Sequence, residues 1–163
     1  MLIELEPMVG VRADGETEPI LILAEKNGPR HATCIFSQAI LREIFMAIRN
    51  LSDQHPSVHI VLYELLHKCK VALVHFSINS IDDDGGVNCS LTLRQGEQTW
   101  CADCEIGDGI ALALRSKAPI LCEESVFSVI SADVELRIVE PPSEIDERIR
   151  LFKKTHPDGD PKA

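Results

Sequence analysis

Ala72-Leu73-Val74-His75-Phe76-Ser77-Ile78, Asp82-Asp83-Asp84-Gly85-Gly86 and Val87-Asn88-Cys89-Ser90-Leu91-Thr92-Leu93 follow closely on one another, and how they are read decides the fold. Ala72, Val74, Phe76 and Ile78 alternate along the first run, as do Val87, Cys89, Leu91 and Leu93 along the second, so each lays an apolar row on one face of a strand. An Asp- and Gly-rich turn between two such runs makes a hairpin. Gln95-Gly96 then returns the chain to a further strand containing Trp100 and Ala102.

The same reading extends towards both ends. Leu2 to Arg12 and Pro19 to Glu25 flank the turn-rich Ala13-Asp14-Gly15-Glu16. Lys26-Asn27-Gly28-Pro29 leads on to a strand near Arg30 to Phe36, which completes an antiparallel meander. Ser37 is placed to cap a helix carrying Ile40, Leu41, Ile44, Phe45 and Ile48. Ser57, after Pro56, is placed to cap a second, whose Val58, Val61, Leu62, Leu65, Leu66 and Cys69 fall in one apolar stripe. A third helix runs from about Asp108 through Ile110, Leu112 and Leu114, with Arg115 and Lys117 in its last turn and Pro119 beyond. Ile120 to Cys122 and Val134, Leu136 and Ile138 read as two more short strands. Three strands followed by helix thus occur twice, a pseudo-repeat in element order. Residues 1–140 form one domain, and 141–163 supply a short helix at Ile145, Ile149 and Phe152 and a disordered tail.

The chain has 163 residues, 45% of them apolar, the size of one ordinary domain with a core of its own. No apolar run approaches the roughly 18 residues that cross a bilayer, and Glu4 and Glu6 stand where a signal peptide would carry positive charge, so the expected location is the cytoplasm. Six cysteines sit mostly inside apolar patterns and read as reduced thiols. The net charge of −10 weighs against a sequence-independent grip on nucleic acid, which depends on Lys and Arg displacing counterions; a local basic patch or a bridging metal would be needed.

Four groups of residues bear on chemistry. Cys101-Ala102-Asp103-Cys104 places a C-x-x-C at a strand-to-helix junction, but without the preceding βαβ unit of a thioredoxin-type site or the further ligands of a zinc site; two thiols at a strand end is the simpler reading. His59, Tyr63 and His67 recur every four residues on the polar side of the second helix. The two imidazoles are about 12 Å apart along its axis, too far to share a metal, so a solvated face is expected, with His59 a site candidate near the helix start. Asp82, Asp83 and Asp84 suit a hard cation but, followed by two glycines, are more simply a charged turn. Asp108 is placed to cap the third helix, and a catalytic or phosphate-side role is the alternative.

Cys104-Glu105-Ile106-Gly107-Asp108-Gly109-Ile110 through Ala118-Pro119-Ile120 resembles the hallmark of the bifunctional nuclease family, Ser-Arg-Pro-Ser-Asp-Ala-Ile followed by a small-residue helix and Ala-Pro-Ile. Pro19-Ile20-Leu21-Ile22-Leu23 is similar to the family's second strand, and Pro56-Ser57-Val58-His59 to its Arg-Pro-x-Thr-His element. In order and spacing the resemblance covers about residues 2 to 127. It implies an α+β fold, a mostly antiparallel sheet in a duplicated β-rich arrangement packed in two layers against about three helices. It also implies hydrolysis of phosphodiester bonds in DNA or RNA, with Asp108 and His59 as catalytic residues, single-stranded nucleic acid as substrate and a divalent cation such as Mg²⁺ activating water. Cys104, Glu105, Ile106 and Gly107 replace the hallmark Ser, Arg, Pro and Ser. Glu105 reverses a charge, and would share a metal with Asp108 if the helix began before it. The altered hallmark also supports a second expectation, a non-catalytic module for protein association. Edge strands that need cover add a third, a homo-oligomer.

Overall fold

A computed structural model describes residues 1–11, 19–51 and 54–131. The expected meander is present as β1 (Leu2–Val11), β2 (Pro19–Glu25) and β3 (His31–Cys34), followed by α1 (Gln38–Ile48) and α2 (Val58–Lys68). The second series comprises β4 (Ala72–Ile81), β5 (Val87–Gln95), β6 (Gln98–Cys104) and α3 (Ile106–Ser116), and β7 (Ile120–Glu123) and α4 (Glu124–Ile130) follow. The strands form one seven-stranded sheet in the order β3-β2-β1-β7-β4-β5-β6. Every pairing is antiparallel except that of β4 with β7. Two three-stranded meanders are thus joined through β7, and the fold is α+β, with the sheet packed against helices. The strand at Val134 to Ile138, the helix at Ile145 to Phe152, the boundary at 140 and the turn at Ala13 to Glu16 fall outside the described residues.

The core lies between sheet and helices, where Phe76, Ile78, Leu21, Leu23, Ile44, Ile110, Cys122 and Phe127 are fully buried. Parity along β4 differs from simple alternation. Leu73, Phe76 and Ile78 are buried, whereas Ala72 is exposed and Val74 half-buried, because register shifts fall between Leu73 and His75 and between Ile78 and Ser80. Each bulge inserts one residue and moves the following side chains to the other face. β5 keeps its alternation, with Cys89, Leu91 and Leu93 inside. The Asp82 turn is the expected hairpin: the Gly85 N–H donates to the Asp82 carbonyl at 2.9 Å, Gly85 has φ +81°, and Asn88 Nδ2 donates to Asp82 Oδ1 at 2.6 Å.

α2 corrects the sequence reading. His59, Ile60, Tyr63 and Leu66 turn inward, and the rest of the apolar stripe turns out: Val58 is 79% exposed, Leu65 52%, and Val61 and Leu62 are exposed too. The face expected to be solvated is therefore the packed one, save for His67, which is exposed and stacked on Tyr63. Burying an aliphatic side chain is worth roughly 2 kcal/mol. Four such side chains left in water call for a reason, and the reason lies in what His59 touches.

α4 was not foreseen, being only seven residues long. It is fixed by Val126 and Phe127 in the core and by Arg30, whose Nη1 and Nη2 donate to Glu124 at 2.6 and 3.0 Å while Nε and Nη2 donate to Glu25 at 3.0 and 2.9 Å. The Arg30 guanidinium also lies 5.3 Å from the Phe127 ring centroid. Its hydrogen bonds hold the Glu25 and Glu124 carboxyls below their ordinary value of 4.5. A depressed carboxyl stabilises the fold fully above its ordinary value, and that contribution fades as pH falls through the lowered one. The thermal midpoint should therefore drop on acidification below about pH 4.5 more steeply in the wild type than in Arg30→Met, as scanning calorimetry can measure.

Gly109 is buried, and a Cβ there would run into the Phe76 ring. Gly109→Ala gains about 1 kcal/mol of helix propensity but overpacks a closed core at a cost of about 1–3 kcal/mol. A net loss of about 1 kcal/mol is expected in urea unfolding.

Candidate active site

α1, α2 and α3 bring three charged or ionisable side chains into line. α2 opens at Ser57, whose Oγ accepts from the Ile60 N–H at 3.4 Å and donates to Glu43 Oε2 of α1 at 2.6 Å. Two residues on, His59 Nε2 is 2.9 Å from Asp108 Oδ1 of α3, and His59 Nδ1 is 3.7 Å from Glu43 Oε2. An ionised carboxylate only accepts, so the bond to Asp108 uses a proton on Nε2. A second proton, on Nδ1, would face Glu43. The ring therefore stands between two acceptors from different helices, which suits it to holding or passing a proton.

Behind Glu43 lies Arg115 of α3, Nη2 3.7 Å from Glu43 Oε2 and Nη1 donating to the Leu51 carbonyl at 3.3 Å. Exposure falls along this chain, from 42% for the Asp108 side chain to 16% for His59, 14% for Glu43 and 9% for Arg115. Carboxylate, imidazole, carboxylate and guanidinium thus alternate from the surface inward. Arg115 Nε and Nη2 are buried without a hydrogen-bond partner, so the ionic contact with Glu43 is what offsets their desolvation.

The structure brings Asp108 and His59 together, and it does not make Asp108 the cap of α3. The cap of α3 is Glu105, which makes no side-chain cap hydrogen bond, and Asp108 is the third helical residue. Its carboxylate is used for tertiary contact. Glu105 is exposed, outside the helix and outside the His59 contact, so the shared-metal reading, which needed the helix to begin before it, is not met. No group of three His, Cys, Asp or Glu among the described residues has the geometry to hold a metal ion. Asp108 commits one oxygen to His59, and Glu43 is turned towards Ser57 and Arg115, so the donor set does not fit a preformed Mg²⁺ cage.

Glu43 and Arg115 were missed as site residues, though both left a trace. Glu43 falls at i+3 in the inward stripe Ile40, Ile44, Ala47, where an apolar residue belongs. Arg115 is two turns beyond Asp108 on one face of α3, and its long side chain reaches back towards the helix start.

Cys101 and Cys104 are three apart on β6, so their side chains point to opposite faces with Cα atoms about 10 Å apart. That exceeds the span of about 7 Å that a disulfide bridges. Burial, with nearby Asp108, Asp103 and Glu105, pushes the Cys104 thiol up to about 11, the reverse of a redox-active thiolate. All six cysteines are free thiols.

Glu43→Leu should remove the only carboxylate in ionic contact with Arg115 among the described residues and cost about 3 kcal/mol in urea unfolding, with more than half regained on adding Arg115→Met. A single-substitution loss below about 0.5 kcal/mol would show that Glu43 does not balance Arg115.

No curated protein matches the chain. A family model, the bifunctional nuclease domain, matches residues 21–135, a span that includes Glu43, His59, Asp108 and Arg115. That span covers more than half of the chain, so the protein belongs to the bifunctional nuclease domain family.

Proposed function

We propose that the protein is a nuclease that hydrolyses phosphodiester bonds of single-stranded nucleic acid in the cytoplasm, with Asp108 as general base. The observation that carries this reading is the 2.9 Å contact of Asp108 with His59 at the open end of a row of alternating acidic and basic side chains. His59 takes up one Asp108 oxygen and leaves the other for a water molecule attacking phosphorus. Proton transfer of this kind accelerates a reaction by about 10²–10⁴-fold. Glu43 orients His59 from behind, and Ser57 and Arg115 hold Glu43. The first turn of α3, without a side-chain cap, adds N–H donors and the positive end of the helix dipole for a phosphate oxygen. That donor group matters in a chain of net charge −10.

The test is degradation of single-stranded DNA and RNA with Mg²⁺, Mn²⁺ or EDTA present. Asp108→Asn should lower the rate by about 100-fold or more, and Glu43→Gln by a smaller factor. Cleavage indifferent to Asp108→Asn would move the chemistry elsewhere, and no cleavage under any condition would leave the family fold without its activity. A second reading, a module for protein association, is favoured by one observation, the apolar stripe that α2 turns to solvent.

A further inference from the structure

β3 ends at Cys34 and α1 begins at Gln38, so Ile35, Phe36 and Ser37 form a short bridge between them. Ser37 Oγ accepts from the Ile40 N–H at 3.4 Å, and this cap fixes the direction in which the bridge enters the helix. The two residues before it are apolar, yet Ile35 is 78% exposed and Phe36 only half-buried. The Phe36 ring is turned edge-on to the first turn of α3, where a Cβ on Gly107 would come within 3.3 Å of its Cδ1 and Cε1. The next residue of that turn is Asp108. An exposed apolar shelf therefore adjoins the carboxylate assigned as general base. We infer that Phe36, flanked by Ile35, is a subsite that stacks one unpaired nucleobase of the strand being cut, an inference that rests on the nuclease reading above.

The occupant is a base because of where the shelf stands. Consecutive helical residues point about 100° apart, so Gly107 faces Phe36 of the α1 approach while Asp108 faces His59 of α2. A phosphate held at this turn has the general base on one side and the Phe36 ring on the other. One sugar joins a phosphate to its base, so the strand that presents a bond to Asp108 brings a base to the shelf. A base inside a duplex is covered by its neighbours and reaches a protein ring only by leaving the stack. The subsite therefore takes a single strand, with little regard to which base it carries, since every base has a face to stack.

Charge points the same way. Asp103 at the end of β6 and the exposed Glu105 repel a phosphate backbone that approaches α3 from the β6 side, whereas Cys34 to Leu41 carries no charge. The strand thus leaves the site over the start of α1. A chain of net charge −10 gains little from counterion release, so its affinity has to come from uncharged contacts such as this ring. The rings elsewhere are otherwise engaged: Phe76 and Phe127 are fully buried, Phe45 lies under the Arg49 guanidinium, and Tyr63 is stacked on His67.

Fluorescence anisotropy of the full chain in EDTA tests this with two labelled phosphorothioate strands of equal length, one oligothymidylate and one a base-free sugar-phosphate chain, so that base contacts are read apart from phosphate contacts and without cleavage. The wild type should bind the thymidylate strand about 10- to 100-fold more tightly than the base-free one. Phe36→Leu should abolish that difference and leave the base-free affinity unchanged, while Phe36→Trp should keep it. With Trp100→Phe added, Phe36→Trp carries the single tryptophan of the chain, and the thymidylate strand but not the base-free one should quench its emission. Equal affinity of the wild type for the two strands, binding of neither, a loss in Phe36→Leu that falls on both alike, or unquenched emission would overturn the inference. Asp108-dependent cleavage with a base-dependent affinity that survives Phe36→Leu would overturn the subsite and leave the nuclease reading standing. Base-dependent binding through Phe36 without cleavage would do the reverse.

Discussion

One imidazole sets the rotation of α2, and with it the shape of one side of the molecule. His59 lies between Glu43 of α1 and Asp108 of α3, so a single side chain joins three helices. A helix free to choose would bury Val58, Val61, Leu62 and Leu65. Here the inward face carries His59, Ile60, Tyr63 and Leu66, and four aliphatic side chains remain in water. The hydrogen bond to Asp108, the contact with Glu43 and the packing of Leu66 against the core together hold an orientation that hydrophobicity alone would not select.

Arg115 and Ser57 make that orientation tenable. A buried carboxylate is costly unless it is paired, and Glu43 has both a hydroxyl donor at 2.6 Å and a guanidinium at 3.7 Å. The small residues of α3 serve the same end. Gly107 and Gly109 let the helix come close to Ile40 and Phe76, where a Cβ would collide, and that close approach carries Asp108 to within reach of His59. The cation of this group sits at the buried end and the free carboxylate oxygen at the surface, so the site presents negative charge outward.

The strands and their order of appearance were legible because the turns and periods are local. Asp82 to Gly86 carries turn residues between two alternating runs, and Cys89, Leu91 and Leu93 alternate without interruption. The bulges in β4 were not legible, since nothing in Val74 or Asn79 marks an inserted residue; only pairing with β5 reveals it. α4 escaped for a related reason, its seven residues being too few for a period and its stability coming from Phe127 and the Arg30 ion pairs. Of the site, His59 and Asp108 were recognisable through a family motif. Glu43 and Arg115 were not, because a charge in an apolar stripe shows its partner only once the helices are packed.

By itself the sequence determined the α+β class, the two meanders, the reach of the helices and the pair of residues worth testing. The first three depend on neighbours within about ten positions along the chain, where turn chemistry and periodicity act, and the last on the resemblance to a family motif. The tertiary structure alone decided where β7 enters the sheet, which face of α2 is buried and which side chains stand behind His59. These depend on contacts between residues 49 apart, as in His59 with Asp108, or 94 apart, as in Arg30 with Glu124. Helical periodicity states that a face is apolar; it does not state that His59 on the opposite face will meet Asp108 and Glu43 of two other helices.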